Sequence, residues 1–213
     1  MNKNEQFVIT INRELGSGGR TVGRKLAERL GVKYYDKAII EGLKEKYGLS
    51  AEEIEQLKTQ KKTWRDDFNA YYKKLLNNLI PGETKPVPTT AGMFETERRI
   101  LQELAAQESC VVAGRSGFLV FREWKNHLSV FIQASMVKRI ERLHNKRGLR
   151  LEDAMDIIEE VDAGRETYIQ NYADKSRYDT HNYDLVISMD ELTEDDATDI
   201  IMEFINRTSK QRD

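Results

Sequence analysis

Cysteine, proline and histidine are all scarce here: 213 residues include one cysteine, three prolines and three histidines. The lone thiol, Cys110, excludes an intrachain disulfide and a cysteine-built metal centre. It lies in an apolar run, residues 109–113, which suits a buried thiol rather than a nucleophile. His127, His144 and His181 show no metal-ligand spacing to one another or to carboxylates, and no Ser-His-Asp arrangement can be read. Long hydrophobic runs are missing too. None approaches the roughly 18 residues of a membrane span, and the first residues are polar with no leader-type apolar segment. A cytoplasmic protein without a membrane partner is expected. Charge of one sign is lacking as well, since 34 basic and 36 acidic residues leave a net −2. Without a general basic field, nucleic acid is not an expected partner.

What is present is an alternation of short apolar runs with longer helical patterns. Phe7, Val8, Ile9 and Ile11 form the first run. Residues 32–35 suggest a short second strand, and Asp36 then caps a helix to about residue 47. Gly48 stops it, and Ser50, Ala51, Glu52 and Glu53 match a capping box for another helix. Trp64, Phe68, Tyr71, Tyr72, Leu75, Leu76 and Leu79 give that stretch an apolar stripe, read as core or a helix–helix contact. All three prolines (Pro81, Pro86, Pro88) follow with Gly82, as a loop or mobile hinge. Helix resumes over 93–107, residues 109–113 and 128–132 read as buried strands, and Ser135 caps a basic helix. Leu151, Ala154, Met155, Ile158 and Val161 mark a further long helix. Residues 183–188 read as the last strand. Thr193 with Asp196 caps a final helix whose expected apolar face is Ala197, Ile200, Ile201, Phe204 and Ile205. Strands alternating with helices predict one α/β domain with a mostly parallel sheet of five, or four, strands covered on both faces. A ligand belongs at the strands' C-terminal ends.

The richest local signal lies between the first strand and the first helix. Gly16, Gly18, Gly19 and Gly23 fall within eight residues, and Val22, Leu26 and Leu30 then recur at helical spacing until Gly31. Strand, glycine-rich turn and helix in that order build a phosphate-binding loop. Glycine permits positive φ angles that turn amides toward an anion, and the helix N-terminus adds positive charge there. A tight βα turn that serves only packing is the plainer alternative. The usual signature, G-x-x-x-x-G-K-S/T, is broken, because Gly18 is followed by Gly19 and Arg20.

The stretch from Gly16 to Ala27 resembles the GSGKSTVAKKLA segment of cytidylate kinases. With Thr10-Ile11-Asn12-Arg13-Glu14-Leu15 ahead and Tyr34-Tyr35-Asp36-Lys37 behind, it is closer to the cytidylate kinase-like family of the P-loop nucleoside monophosphate kinase superfamily. That family carries an R-E-F-G-S-G-G-R type loop and a Y-D-K segment. A weaker resemblance extends through Val111-Val112-Ala113-Gly114-Arg115 and the two helices beyond residue 135.

The resemblance implies a three-layer P-loop kinase fold over residues 1–213, a helical insertion at 40–92 on the acceptor side and a lid at 136–180. It implies ATP and Mg2+ as cofactors and phosphoryl transfer to a nucleoside monophosphate, CMP or dCMP first. Leu15, Gly16, Ser17, Gly18, Gly19, Arg20 and Thr21 would wrap the donor phosphates, with Thr21 offering a hydroxyl to magnesium. The bridging lysine falls on Gly19. Arg13 and Arg20 are the nearest cations to replace it, because guanidinium groups bind phosphate bidentately. Asp36 and Arg115 match acceptor-side residues, although Asp36 serves equally as an N-cap. The strand-end acid of the family is replaced by Ala113. Arg139, Arg142 and Arg165 match lid arginines that reach the transferring group, with an ordinary salt-bridged helix surface as their alternative. The missing lysine and acid leave two other readings open: a nucleotide-binding or sensing protein without transfer, and a kinase for another small-molecule acceptor.

Overall fold

The structure, a computed structural model, describes residues 1–36, 90–114 and 116–209. Arg115, the stretch with the aromatic stripe from Trp64 to Tyr72, the proline cluster and nearly all of the expected insertion at 40–92 lie outside the described residues. By internal contacts the chain divides into two units, residues 37–100 and the remainder. The larger unit is described below.

Its centre is strand β1 (Val8–Arg13). Val8, Ile9 and Ile11 are fully buried, and Thr10 nearly so. A strand with both faces covered must be apolar throughout, and this is why the opening run lacks polar alternation. It leads through the glycine-rich turn into α1 (Gly19–Leu30) and then β2 (Lys33–Tyr35). Helix α2 (Thr90–Gln107) precedes β3 (Cys110–Ala113), and a single turn, α3 (Gly117–Val120), precedes β4 (His127–Gln133). Helices α4 (Met136–Arg147) and α5 (Leu151–Ala173) follow as a packed pair, then β5 (Leu185–Ser188) and α6 (Glu194–Ser209).

The five strands form one sheet in the order β2-β3-β1-β4-β5, and every pairing is parallel. Because β1 lies between β3 and β4, its C-terminal end opens where neighbouring connections diverge, the place an open α/β sheet leaves for a ligand. Val8 pairs with Cys110 and His127, and Arg13 with Ile132. On one face, Ile9, Ile11, Val111, Val130 and Ile132 pack with Val22 and Leu26 of α1 and Ile201 and Ile205 of α6. On the other face the single turn α3 presses on β1, with Gly117 against Thr10.

Local chemistry sets the helix ends. Gly31 ends α1 in the left-handed conformation, with its amide on the Glu28 carbonyl and that of Val32 on the Ala27 carbonyl. Ser135 caps α4 through the Lys138 amide, and Thr193 and Asp196 cap α6 reciprocally. Two stripes differ from the sequence expectation. Leu151 and Met155 are exposed, and the buried stripe of α5 is Ala154, Ile157, Ile158, Val161 and Asp162. In α6, Ile200 faces outward. Burial of the Cys110 thiol in β3 pushes its pKa up to about 12, far from nucleophilic use. Among the described residues no helix is long and apolar enough to cross a membrane.

Candidate active site

Between β1 and α1 the chain turns with Gly16 at φ +83° and Gly18 at φ +90°, and Gly18 stands at the N-cap of α1. Those angles turn successive amides to one side. The amides of Gly16, Gly18, Gly19 and Arg20 find no acceptor among the described residues, whereas those of Thr21 and Val22 close the first helical turn on the Gly18 carbonyl. Unpaired amides converging at a helix N-terminus form an anion cradle. Two expected cradle members are engaged elsewhere. The Leu15 amide donates to Asp162 at 3.1 Å, and the Ser17 amide and hydroxyl turn back to the Glu14 carbonyl at 3.4 and 3.0 Å. The Thr21 hydroxyl sits at the cradle's helical side with no protein partner among the described residues.

A buried ionic cluster supports the loop from below. Arg139, on α4, is 5% exposed and Asp162, on α5, 6% exposed. Arg139 donates from Nε to the Leu15 carbonyl at 2.8 Å, pairs with Glu14 at 3.4 Å, and bonds Asp162. Asp162 also accepts from Arg165 at 3.0 Å and from the fully buried Arg177 at 3.3 Å. Arg165 and Arg177 both donate to the Arg13 carbonyl. Glu14 completes the ring by accepting the Ala134 amide at 3.0 Å. Arg139 and Arg165, expected as lid arginines, are thus brought to the loop, but as its struts. Arg177, Asp162 and Glu14 belong to the same cluster and were not among the expected site residues.

At the mouth, Arg142 lies over Gly18: its guanidinium carbon is 3.2 Å from the position a β-carbon would take. Arg142 and Lys146 share Glu194 at 2.5 and 2.8 Å. Arg20 pairs with Asp36 at 2.7 Å, and Tyr34 donates to the Arg20 carbonyl. These two expected residues therefore meet. Arg147 lies near enough to Arg20 for the like charge, after burial, to lower its pKa.

Arg13 is set apart from the others. Its guanidinium rests against Gly114 at the end of β3 and has no hydrogen bond or ion pair among the described residues. Its pKa is lowered, chiefly by burial and further by Arg20 and Arg177, against the pull of Tyr34 and Asp36. Around the loop, Arg13, Arg139, Arg165 and Arg177 gather about Glu14 and Asp162, with Asp36 acting on Arg13 from farther off. The resulting excess of positive charge suits a polyanion. Among the described residues no group of three or more His, Cys, Asp or Glu side chains could hold a metal.

A family model described as "Cytidylate kinase-like family" matches residues 8–191. The chain belongs to the cytidylate kinase-like family. It is 27% identical over 169 residues to a shikimate kinase from Actinobacillus succinogenes, covering 75% of this chain and 78% of that one. It is also 27% identical over 188 residues to the cytidylate kinase of Pyrococcus horikoshii, covering 86% of this chain and 80% of that protein. In three dimensions it resembles a shikimate kinase from Bacteroides thetaiotaomicron, with a TM-score of 0.53 and 16% identity over 94% of this chain and 98% of that one. The fold is that of the P-loop kinases. Family and relatives place the chain with kinases of the cytidylate and shikimate kinase type, a class of phosphotransferases.

Proposed function

We propose that this protein binds ATP in the loop between β1 and α1 and transfers its terminal phosphoryl group to a small-molecule acceptor, first the phosphate oxygen of a nucleoside monophosphate such as CMP or dCMP, with ADP as the leaving group. The observation that carries the reading is the set of four amides, those of Gly16, Gly18, Gly19 and Arg20, that open at the N-terminus of α1 with no acceptor among the described residues. Phosphoryl transfer asks a protein mainly for positioning and for cations around the phosphate oxygens. The excess of arginine around the loop meets the second need.

In this reading Gly16, Gly18, Gly19 and Arg20 cradle the donor phosphates from the backbone, and Arg142 reaches them once released from Glu194. Magnesium, when bound, neutralises the phosphate oxygens. Among the described residues no group of three or more His, Cys, Asp or Glu side chains could hold it, and the Thr21 hydroxyl is the loop group suited to do so. Asp36 and Arg20 face the acceptor as a pair. Arg115 belongs to the same proposal, on its position after β3 alone.

The test is to incubate the purified protein with ATP, magnesium and a panel of nucleoside monophosphates while following ADP release. Turnover with CMP or dCMP supports the reading. Tight ATP binding without turnover on any acceptor would sink transfer in favour of nucleotide sensing. A second acceptor class, hydroxy acids such as shikimate, belongs in the panel because a shikimate kinase matches at the same identity as the cytidylate kinase.

A further inference from the structure

In the signature G-x-x-x-x-G-K-S/T the second glycine is Gly18, so the first falls on Arg13 and the lysine on Gly19. Both positions are therefore reversed in kind: the chain has a long cation where the motif has glycine, and glycine where the motif has a cation. The geometry gives the reason. A β-carbon at Gly19 would lie 2.8 Å from the Arg13 β-carbon and 3.0 Å from that of Ile132. Two such carbons cannot come within 3.0 Å without backbone movement, so only one of the two positions can carry a side chain. Gly19 has no positive φ that would otherwise demand glycine.

From these observations we infer that Arg13 performs the task of the missing lysine, its guanidinium binding the terminal phosphoryl group of the donor nucleotide. The inference rests on the reading of the loop as a nucleotide site. Three facts single out Arg13. First, Arg139, Arg165 and Arg177 are committed to Asp162, Arg142 to Glu194 and Arg20 to Asp36, whereas the Arg13 guanidinium has no hydrogen-bonded or ionic partner among the described residues. Second, it starts at the end of β1, directly beside Gly19, and ends against Gly114 at the end of β3. It thus spans the strand ends where a phosphoryl group in the loop would point. Third, Arg13 is half-buried, and a cation partly withdrawn from water with no ion pair among the described residues is suited to meeting an anion. Gly114 fits the same account, because a β-carbon there would collide with the Arg13 Nη1.

Binding tests the inference without knowledge of the acceptor. Affinities of the full chain for ATP and for ADP, each with magnesium, are measured by titration calorimetry for the native protein and for Arg13→Gln, Arg13→Lys and Arg13→Gly/Gly19→Lys. The native protein should prefer ATP over ADP. Arg13→Gln should lose about tenfold or more in ATP affinity, the usual effect of a charge-assisted hydrogen bond, and keep its ADP affinity. Arg13→Lys should retain part of the preference, and the double variant should restore it. Thermal unfolding provides the second readout: Arg13→Gln should melt about as the native protein does, because the change breaks no hydrogen bond or ion pair of the guanidinium among the described residues. Equal loss of both nucleotides, or an unchanged preference for ATP, would overturn the role of Arg13 while leaving the loop as a nucleotide site. Failure of the native protein to bind either nucleotide would overturn both readings.

Discussion

Asp162 accepts the backbone amide of Leu15 at 3.1 Å with the same carboxylate that holds Arg139, Arg165 and Arg177. One side chain on α5 thus ties the glycine-rich loop to α4 and to the segment before β5. Removing one partner of a buried ionic cluster leaves unpaired charge, at a typical cost of about 3–5 kcal/mol. Asp162→Ala should therefore lower the urea midpoint severely, given that whole domains are stable by only about 5–15 kcal/mol. Asp162→Asn, which keeps an acceptor for Leu15, should fall between. A midpoint for Asp162→Ala close to that of the native protein would show that the cluster carries little stability.

His127 supplies a pH dependence. Its Nε2 lies 2.7 Å from the Thr10 hydroxyl, and burial, opposed by Asp184, pulls its pKa down to about 4. In the unfolded chain imidazole titrates near ~6.5. The folded state thus requires a neutral ring, and the stabilisation is fully present above ~6.5 and lost as pH falls toward 4, up to ~1.4 kcal/mol per pH unit. Urea unfolding at pH 7.5 and pH 5 should show a drop of about 2 kcal/mol in the native protein beyond that in His127→Gln. Most carboxylates remain ionised in that window, so equal drops in both proteins would remove His127 as the cause.

Arg20 and Asp36 form an ion pair whose arginine side chain is 53% exposed and whose aspartate is 15% exposed. Such a pair contributes roughly 0–1 kcal/mol to folding. Its proposed use is to orient charge at the acceptor side of the loop. Arg20→Ala, Asp36→Ala and the double variant should each change the melting temperature little, yet each should lower kcat/KM for the acceptor tenfold or more. Because the two act as a unit, the double variant should lose about as much as either single one. Strictly additive losses would mean that they work separately.

The strands were legible because parallel strands buried on both faces need continuous β-branched apolar runs, and β1, β3 and β4 have them. The glycine-rich turn was legible through its position between strand and helix. The struts of the loop were not. Arg177 sits in the polar stretch Asp174-Lys175-Ser176-Arg177-Tyr178, which has no periodicity, and tertiary contacts bury it, among them Asp162, the Arg13 carbonyl and the Phe131 ring. Asp162 reads as one more acid on a charged helix, since its partners Leu15, Arg139 and Arg177 are distant in sequence. The α5 stripe was misjudged for a related reason: Met155 and Leu151 are apolar and at helical spacing, but the buried face also takes in Asp162. Periodicity of apolar residues cannot register a buried charge.

The absent lysine was visible in the sequence, but its cause was not, because that cause is a distance between two β-carbons. It makes an unusual prediction for the simplest repair. Gly19→Lys restores the motif on paper, yet its β-carbon would fall 2.8 Å from that of Arg13 and 3.0 Å from that of Ile132, inside a packed strand end. Overpacking of this kind typically costs about 1–3 kcal/mol, and the displaced loop would no longer present its amides together. Gly19→Lys alone should therefore melt lower and bind ATP more weakly than the native protein. Adding Arg13→Gly should recover both, since it removes the opposing β-carbon, although glycine in a strand costs part of the stability. A melting-temperature cycle over the native protein, the two single variants and the double variant should show positive coupling between positions 13 and 19. If Gly19→Lys by itself were as stable as the native protein and bound ATP more tightly, the two positions would not exclude one another, and the lysine's absence would need another cause.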